Sequence, residues 1–106
     1  MAEIMKSVVV LEWDEHEYDG WASVRNDGAS FHLTEDGAKQ YERECRERDF
    51  HDLYGRVTKR DTMMVPERIW RPLENGDRLV VRLLRNEYDK LKAECKELSK
   101  RPMIVL

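Results

Sequence analysis

The sequence predicts an α+β domain: a small, mostly antiparallel sheet, open or barrel-like (OB-like), with two α-helices at about 35–49 and 87–100. Three observations carry this. Short β-branched runs alternate with turn dipeptides over the first third. Two later segments place apolar residues at spacings of three and four. The chain has 106 residues, which suits one domain, 1–106, because domains usually run about 100–150 residues.

The first element is Lys6–Trp13 (KSVVVLEW), short and β-branched. Asp19-Gly20 reads as a hairpin turn, since glycine tolerates the positive φ of a tight turn. Trp21–Arg25 and Ala29–Leu33 follow as strands on either side of an Asn26-Asp27-Gly28 turn, giving an antiparallel meander. Thr34 is a good N-cap for the first helix, with Glu35 and Asp36 at the positive end of its dipole. Ala38, Tyr41 and Cys45 share its apolar face.

The middle of the chain reads as two short strands, Tyr54–Lys59 and Thr62–Val65, around a Lys59-Arg60-Asp61 turn. Pro66 closes the second. Glu67–Leu73 stays undecided, because Pro72 forbids a long helix. Asn75-Gly76 is the strongest turn signal. Arg78–Leu84 (RLVVRLL) is apolar on both faces, which points to a central strand. Asn86–Lys100 forms the second helix, capped by Asn86, with Tyr88, Leu91, Cys95 and Leu98 in one stripe. Met103–Leu106 makes an edge strand or a packed tail.

Composition narrows the function classes. Charged residues are 39% of the chain, against about 25% in an ordinary soluble protein. Nine aromatics are too many for a disordered acidic tail. No apolar run approaches the roughly 18–20 residues that span a bilayer, so no membrane association is expected. There is no export-signal pattern. Cys45 and Cys95 are then expected as reduced structural thiols in a cytoplasmic protein. The net charge of −3 conceals a split. Residues 1–36 hold nine acids and two bases, a balance of −7, and residues 37–106 hold thirteen acids and seventeen bases, a balance of +4.

Two local resemblances accompany these features. Tyr18–Leu33 (YDGWASVRNDGASFHL), with Leu73–Asp77 and the following strand, resembles the outline of a cold-shock or OB-type domain. Met64–Ile69 together with Gly76–Val81 is similar to the swapped-hairpin DNA-binding fold of AbrB-type regulators. Neither spans the chain, so no family is assigned.

Three functional expectations follow. The leading one is a non-catalytic binding module that contacts nucleic acid. Its basic contacts are Arg56, Lys59, Arg60, Arg78 and Arg82, and Trp21 and Phe31 offer stacking faces. The alternative is a protein-interaction or inhibitor module. There the acidic hairpin of Glu12, Asp14, Glu15, Glu17 and Asp19 docks on a basic partner surface. The third is a metal-assisted enzyme using Asp14, His16 and Glu17. One short ribbon rarely encloses a metal, and His16, His32 and His51 show no ligand spacing. No catalytic residue, metal or cofactor is therefore expected. A homodimer through the last helix or through Met103–Leu106 is a further option.

Overall fold

The computed structural model describes residues 3–18, 23–25, 27–47 and 53–106, with side chains over 3–14, 27–45 and 56–106. One strand organises it. β1 (Glu3–Tyr18) is 16 residues long. At about 3.3 Å per residue, its length accounts for the 50 Å long axis of the molecule. After it come β2 (Ser23–Arg25), β3 (Gly28–His32), α1 (Glu35–Glu47), β4 (Leu53–Pro66), α2 (Glu67–Glu74), β5 (Val81–Leu84), α3 (Arg85–Leu98) and β6 (Met103–Val105).

The six strands form one mostly antiparallel sheet. β4 runs along one side of β1, from Met5↔Pro66 to Glu17↔Leu53. The other side of β1 carries β6, β3 and β2 in turn, paired at residues 3–5, 9–13 and 16–18. β5 continues outward from β3. β4 and β5 thus occupy opposite edges and do not pair, so the sheet is open and not closed into an OB-like barrel.

The β-branched run of β1 explains the layering. Alternate residues of a strand face opposite sides. Val8 and Val10 enter one core with Ala29, Phe31, Val65, Ile69, Trp70, Leu73, Tyr88 and Leu91, closed by α2 and α3. Val9, Leu11 and Trp13 enter a second core with Ala38, closed by α1.

Several expectations change. The meander is instead one hairpin: β2 and β3 both pair with β1 in the same register and not with each other. Just before β3, Asp27 O accepts the Arg85 N–H at 2.7 Å and so receives the first turn of α3. Gly28 is needed for close approach rather than for a turn. A Cβ there would stand 2.0 Å from Leu83 O on β5. The Lys59-Arg60-Asp61 turn is also absent. β4 is continuous, because β1 is long enough to pair with all of it. A bulge opposite Glu12 and Trp13 absorbs one extra residue, Thr58, whose hydroxyl donates to Glu12 O at 3.2 Å.

β5 is an edge strand, not a central one. Asn75-Gly76 ends a helix instead of turning a hairpin, with Asn75 at the C-cap and Gly76 at φ 82°. That helix, α2, is a third one beyond the two expected. Pro72 sits inside it, and its burial of Ile69, Trp70 and Leu73 offsets the missing backbone bond. Trp70 Nε1 also donates to Ile4 O at 3.1 Å. Thr34 caps α1 as expected, its Oγ1 accepting the Gly37 N–H at 3.0 Å. α3 spans Arg85–Leu98, starting and ending two residues earlier than expected. Residues 48 and 49, at the expected end of α1, lie outside the described residues. Met103–Val105 does form an edge strand, parallel to β1.

Candidate functional site

The sequence-derived basic set disperses on folding. Arg56 lies 3.7 Å from Asp14, Lys59 lies 4.0 Å from Asp61, and Arg60 bonds Glu42 of α1 at 2.5 Å. Arg78 is exposed in the segment before β5. Arg82 turns inward over the Trp13 ring, 5.2 Å from its centroid, and donates to the Tyr41 hydroxyl at 3.1 Å. Arg78 and Arg82 therefore do not share a groove. Phe31 is 0% exposed, beneath Tyr88, and presents no face to a base. Trp21 lies outside the described residues.

The acidic hairpin is partly consumed by the fold as well. Glu12 accepts from the Tyr88 hydroxyl at 3.2 Å and lies 3.5 Å from Arg85. Burial, and then the Glu12 carboxylate, push the Tyr88 phenol well above its ordinary pKa. Asp14 faces Arg56. Glu15 and Glu17 have described backbone, opposite Gly55 and Leu53 of β4. Their side chains, that of His16, and all of Asp19 and His51 lie outside the described residues. Among the described residues, no three His, Cys, Asp or Glu side chains gather as metal ligands.

A polar cluster that the sequence did not signal lies beneath α1. Trp13 Nε1 donates to Ser30 Oγ at 2.7 Å, and His32 Nε2 stands 2.7 Å from the same oxygen. The Tyr41 ring packs on both, 5.7 Å from Trp13 and 5.0 Å from His32. A serine beside a histidine has the spacing of a nucleophile and its base. Ser30 and His32 are 0% and 1% exposed, however, so no substrate reaches them. Burial, then the Arg82 charge, lowers His32 to about 4 and keeps it neutral. Here the pair satisfies buried polar groups.

Tyr41 also forms the floor of an open cleft of about 500 Å³, lined by Gly37, Gln40, Tyr41 and Glu44 of α1 and by Leu79 and Val80. The four α1 residues share a face by their spacing. Leu79 stands at the lip, 91% exposed. Gln40 Nε2 donates to Glu44 Oε1 at 3.3 Å and orients that carboxylate. A second groove, of about 340 Å³, flanks β5 on its other face, between Ile69, Leu83, Leu91, Glu87 and Lys90. The Arg68–Glu94 ion pair closes one side of it, raising the Arg68 pKa and lowering that of Glu94.

Among the described strands β5 pairs only with β3, with a cleft above and a groove below. The parity of its backbone is fixed by Arg85 N–H pointing to Asp27 O on the β3 side. Alternate residues of a paired strand aim their backbone groups the same way. The Leu84 N–H is taken by Glu87 Oε1 at 3.3 Å.

The two thiols lie on opposite faces of the sheet, Cys45 against the α1 core and Cys95 against the other. Neither is in a disulfide, and burial pushes Cys95 up to about 11. The α3 stripe expected as a dimer seam is used internally, with Tyr88 and Leu91 both buried in the core. No helix among the described residues is long and apolar enough to cross a membrane. Comparison with known proteins gives no matching family model, no matching curated protein and no matching solved structure.

Proposed function

We propose that this chain is a protein-interaction module that takes an extended segment of a partner at the cleft beside Leu79 and β5. The observation that carries this reading is Leu79, 91% exposed at the lip of a cleft beside β5, which among the described strands pairs only with β3. Covering such a side chain contributes about 1.5–3 kcal/mol. In strand addition, main-chain bonds give affinity and flanking pockets give specificity. The other edge is less suited. β4 presents Arg56, Lys59, Arg60 and Asp61 as exposed residues, the charge pattern that keeps edge strands from pairing.

This proposal keeps the interaction-module alternative and moves its surface away from the acidic hairpin. Nucleic-acid binding loses ground because Arg56, Lys59 and Arg60 each have a carboxylate within 4.0 Å.

The test is selection of random seven-residue peptides against the full chain, followed by amide-shift mapping. The expected outcome is peptides that move the Val80–Leu84 amides and lose about tenfold in affinity with Leu79→Asp. Shifts confined to 56–60, or tight salt-sensitive binding of oligonucleotides alone, would reject the reading.

A further inference from the structure

We infer that His32 is a proton-operated latch for α1: proton uptake at its ring frees α1 from the sheet, while α2 and α3 stay docked on the other face. The latch stands apart from partner binding and does not depend on it.

It begins with the order of hydrogen bonds beneath α1. Ser30 Oγ accepts from Trp13 Nε1 at 2.7 Å and lies 2.7 Å from His32 Nε2. A hydroxyl has a single hydrogen to give. All three groups are satisfied when Ser30 gives it to an unprotonated Nε2. A proton on Nε2 turns that acceptor into a donor and leaves the serine hydrogen facing it. Ser30 and His32 are both fully buried, so bulk water does not repair the loss.

The groups around the ring oppose the proton too. From β5, the Arg82 guanidinium adds positive charge. From α1, the Tyr41 ring packs on His32, and its hydroxyl already serves Arg82 and Cys45. β1 and β3 supply the uncharged Trp13 and Ser30. From β4, Arg60 reaches α1 but is paired with Glu42. The acids of the first turn of α1, Glu35 and Asp36, are exposed. Burial first, and Arg82 second, therefore keep the closed ring neutral down to about 4.

Relief requires uncovering the ring, and α1 is its cover. α1 is also the least anchored helix. Ala38 is the only fully buried residue among its described ones, whereas α2 and α3 bury Ile69, Trp70, Leu73, Tyr88 and Leu91. Elements with few buried apolar contacts open locally, at less free energy than the whole fold. The open form takes its proton near the ordinary histidine value of 6.5, and the closed form only near 4. Acid between those values pulls the equilibrium toward the open form.

The two thiols report the two faces separately, Cys45 under α1 and Cys95 in the core closed by α2 and α3. The experiment treats the full chain with dithiodipyridine from pH 7 to pH 4.5. The rate at each thiol is read by peptide mass and divided by that of a cysteine peptide at the same pH. Cys45 should gain about tenfold over this interval and Cys95 should not change. His32→Gln should hold the Cys45 rate flat. The His32 ring-proton shift of the unaltered chain should move over the same pH interval as the Cys45 rate, a readout that serves even if His32→Gln does not fold. Equal gains at both thiols would mean opening of the whole fold and would overturn the latch. So would a flat Cys45 rate, a gain that persists in a folded His32→Gln, or a His32 ring that stays neutral while Cys45 is uncovered.

Discussion

The two faces of the sheet are closed by different means, and the difference locates the opening. On one face α2 and α3 lay Ile69, Trp70, Leu73, Tyr88 and Leu91 over Val8, Val10, Ala29, Phe31 and Val65. Apolar area does the work there. On the other face α1 stands alone, and Ala38 is the only fully buried residue among its described ones. Tyr41 and Cys45 cover the rest only partly. The space under them is held by Trp13, Ser30 and His32 through hydrogen bonds. A face with fewer apolar side chains leaves room, and the cleft at Tyr41 is that room.

The largest expected effect breaks the apolar face. Phe31→Ala should cost about 3–5 kcal/mol, the usual range for emptying an aromatic core site. A urea midpoint measures it, and a loss below about 1 kcal/mol would mean that α2 and α3 do not close on Phe31.

The polar face should answer to pH instead. His32 is lowered from 6.5 to about 4 by burial first and by Arg82 second. Between those values the unfolded chain takes up a proton that the folded chain refuses. The stabilisation is therefore complete above about pH 6.5 and is lost as the pH falls toward 4. Urea midpoints should drop from pH 7 to pH 4.5, and His32→Gln should lose less over the same interval. Equal losses in the two proteins would remove His32 from the account.

Next in size is Ser30→Ala, which strands the Trp13 N–H and a His32 nitrogen in the core. Leaving buried polar groups without a partner costs about 1–3 kcal/mol. The same midpoint serves, and a neutral result would show that water replaces the hydroxyl.

The smallest effect concerns neither face. Arg56→Ala should change stability by no more than about 0.5 kcal/mol, because its pair with Asp14 is exposed on the arginine side. A larger loss would make that pair a structural member of the hairpin.

What could be read in advance follows from range along the chain. The α1 and α3 stripes and the Thr34 cap are local, three or four residues apart, and the structure bears them out. α2 was hidden because Pro66 precedes it and Pro72 lies inside it, and its stability comes from burying Ile69, Trp70 and Leu73, with Trp70 reaching Ile4, 66 residues away. The Lys59-Arg60-Asp61 segment looked like a turn since charges favour turns. It is strand because β1 supplies a partner for each of the three residues, Glu12, Leu11 and Val10. Ser30 and His32 gave no motif at all. Their meaning depends on Trp13 arriving from the neighbouring strand. The charge split was legible, but its fate was not. Pairing of β1 with β4 and contact with α3 set Glu12 and Asp14 against Arg85 and Arg56, so the two halves neutralise one another there.

β1 has a consequence for how the molecule is made. Every other strand except β5 pairs with it, yet β4 begins at Leu53 and β6 at Met103. Synthesis at about 5–20 residues per second leaves β1 without its β4 partner for on the order of seconds. During that time Val8–Leu11, apolar toward both faces, is a template for the wrong neighbour. Glu12 and Asp14 directly follow that run, where charged gatekeepers keep an unpaired strand soluble. The acids of the first third therefore protect the nascent chain before they meet their partners in the folded one.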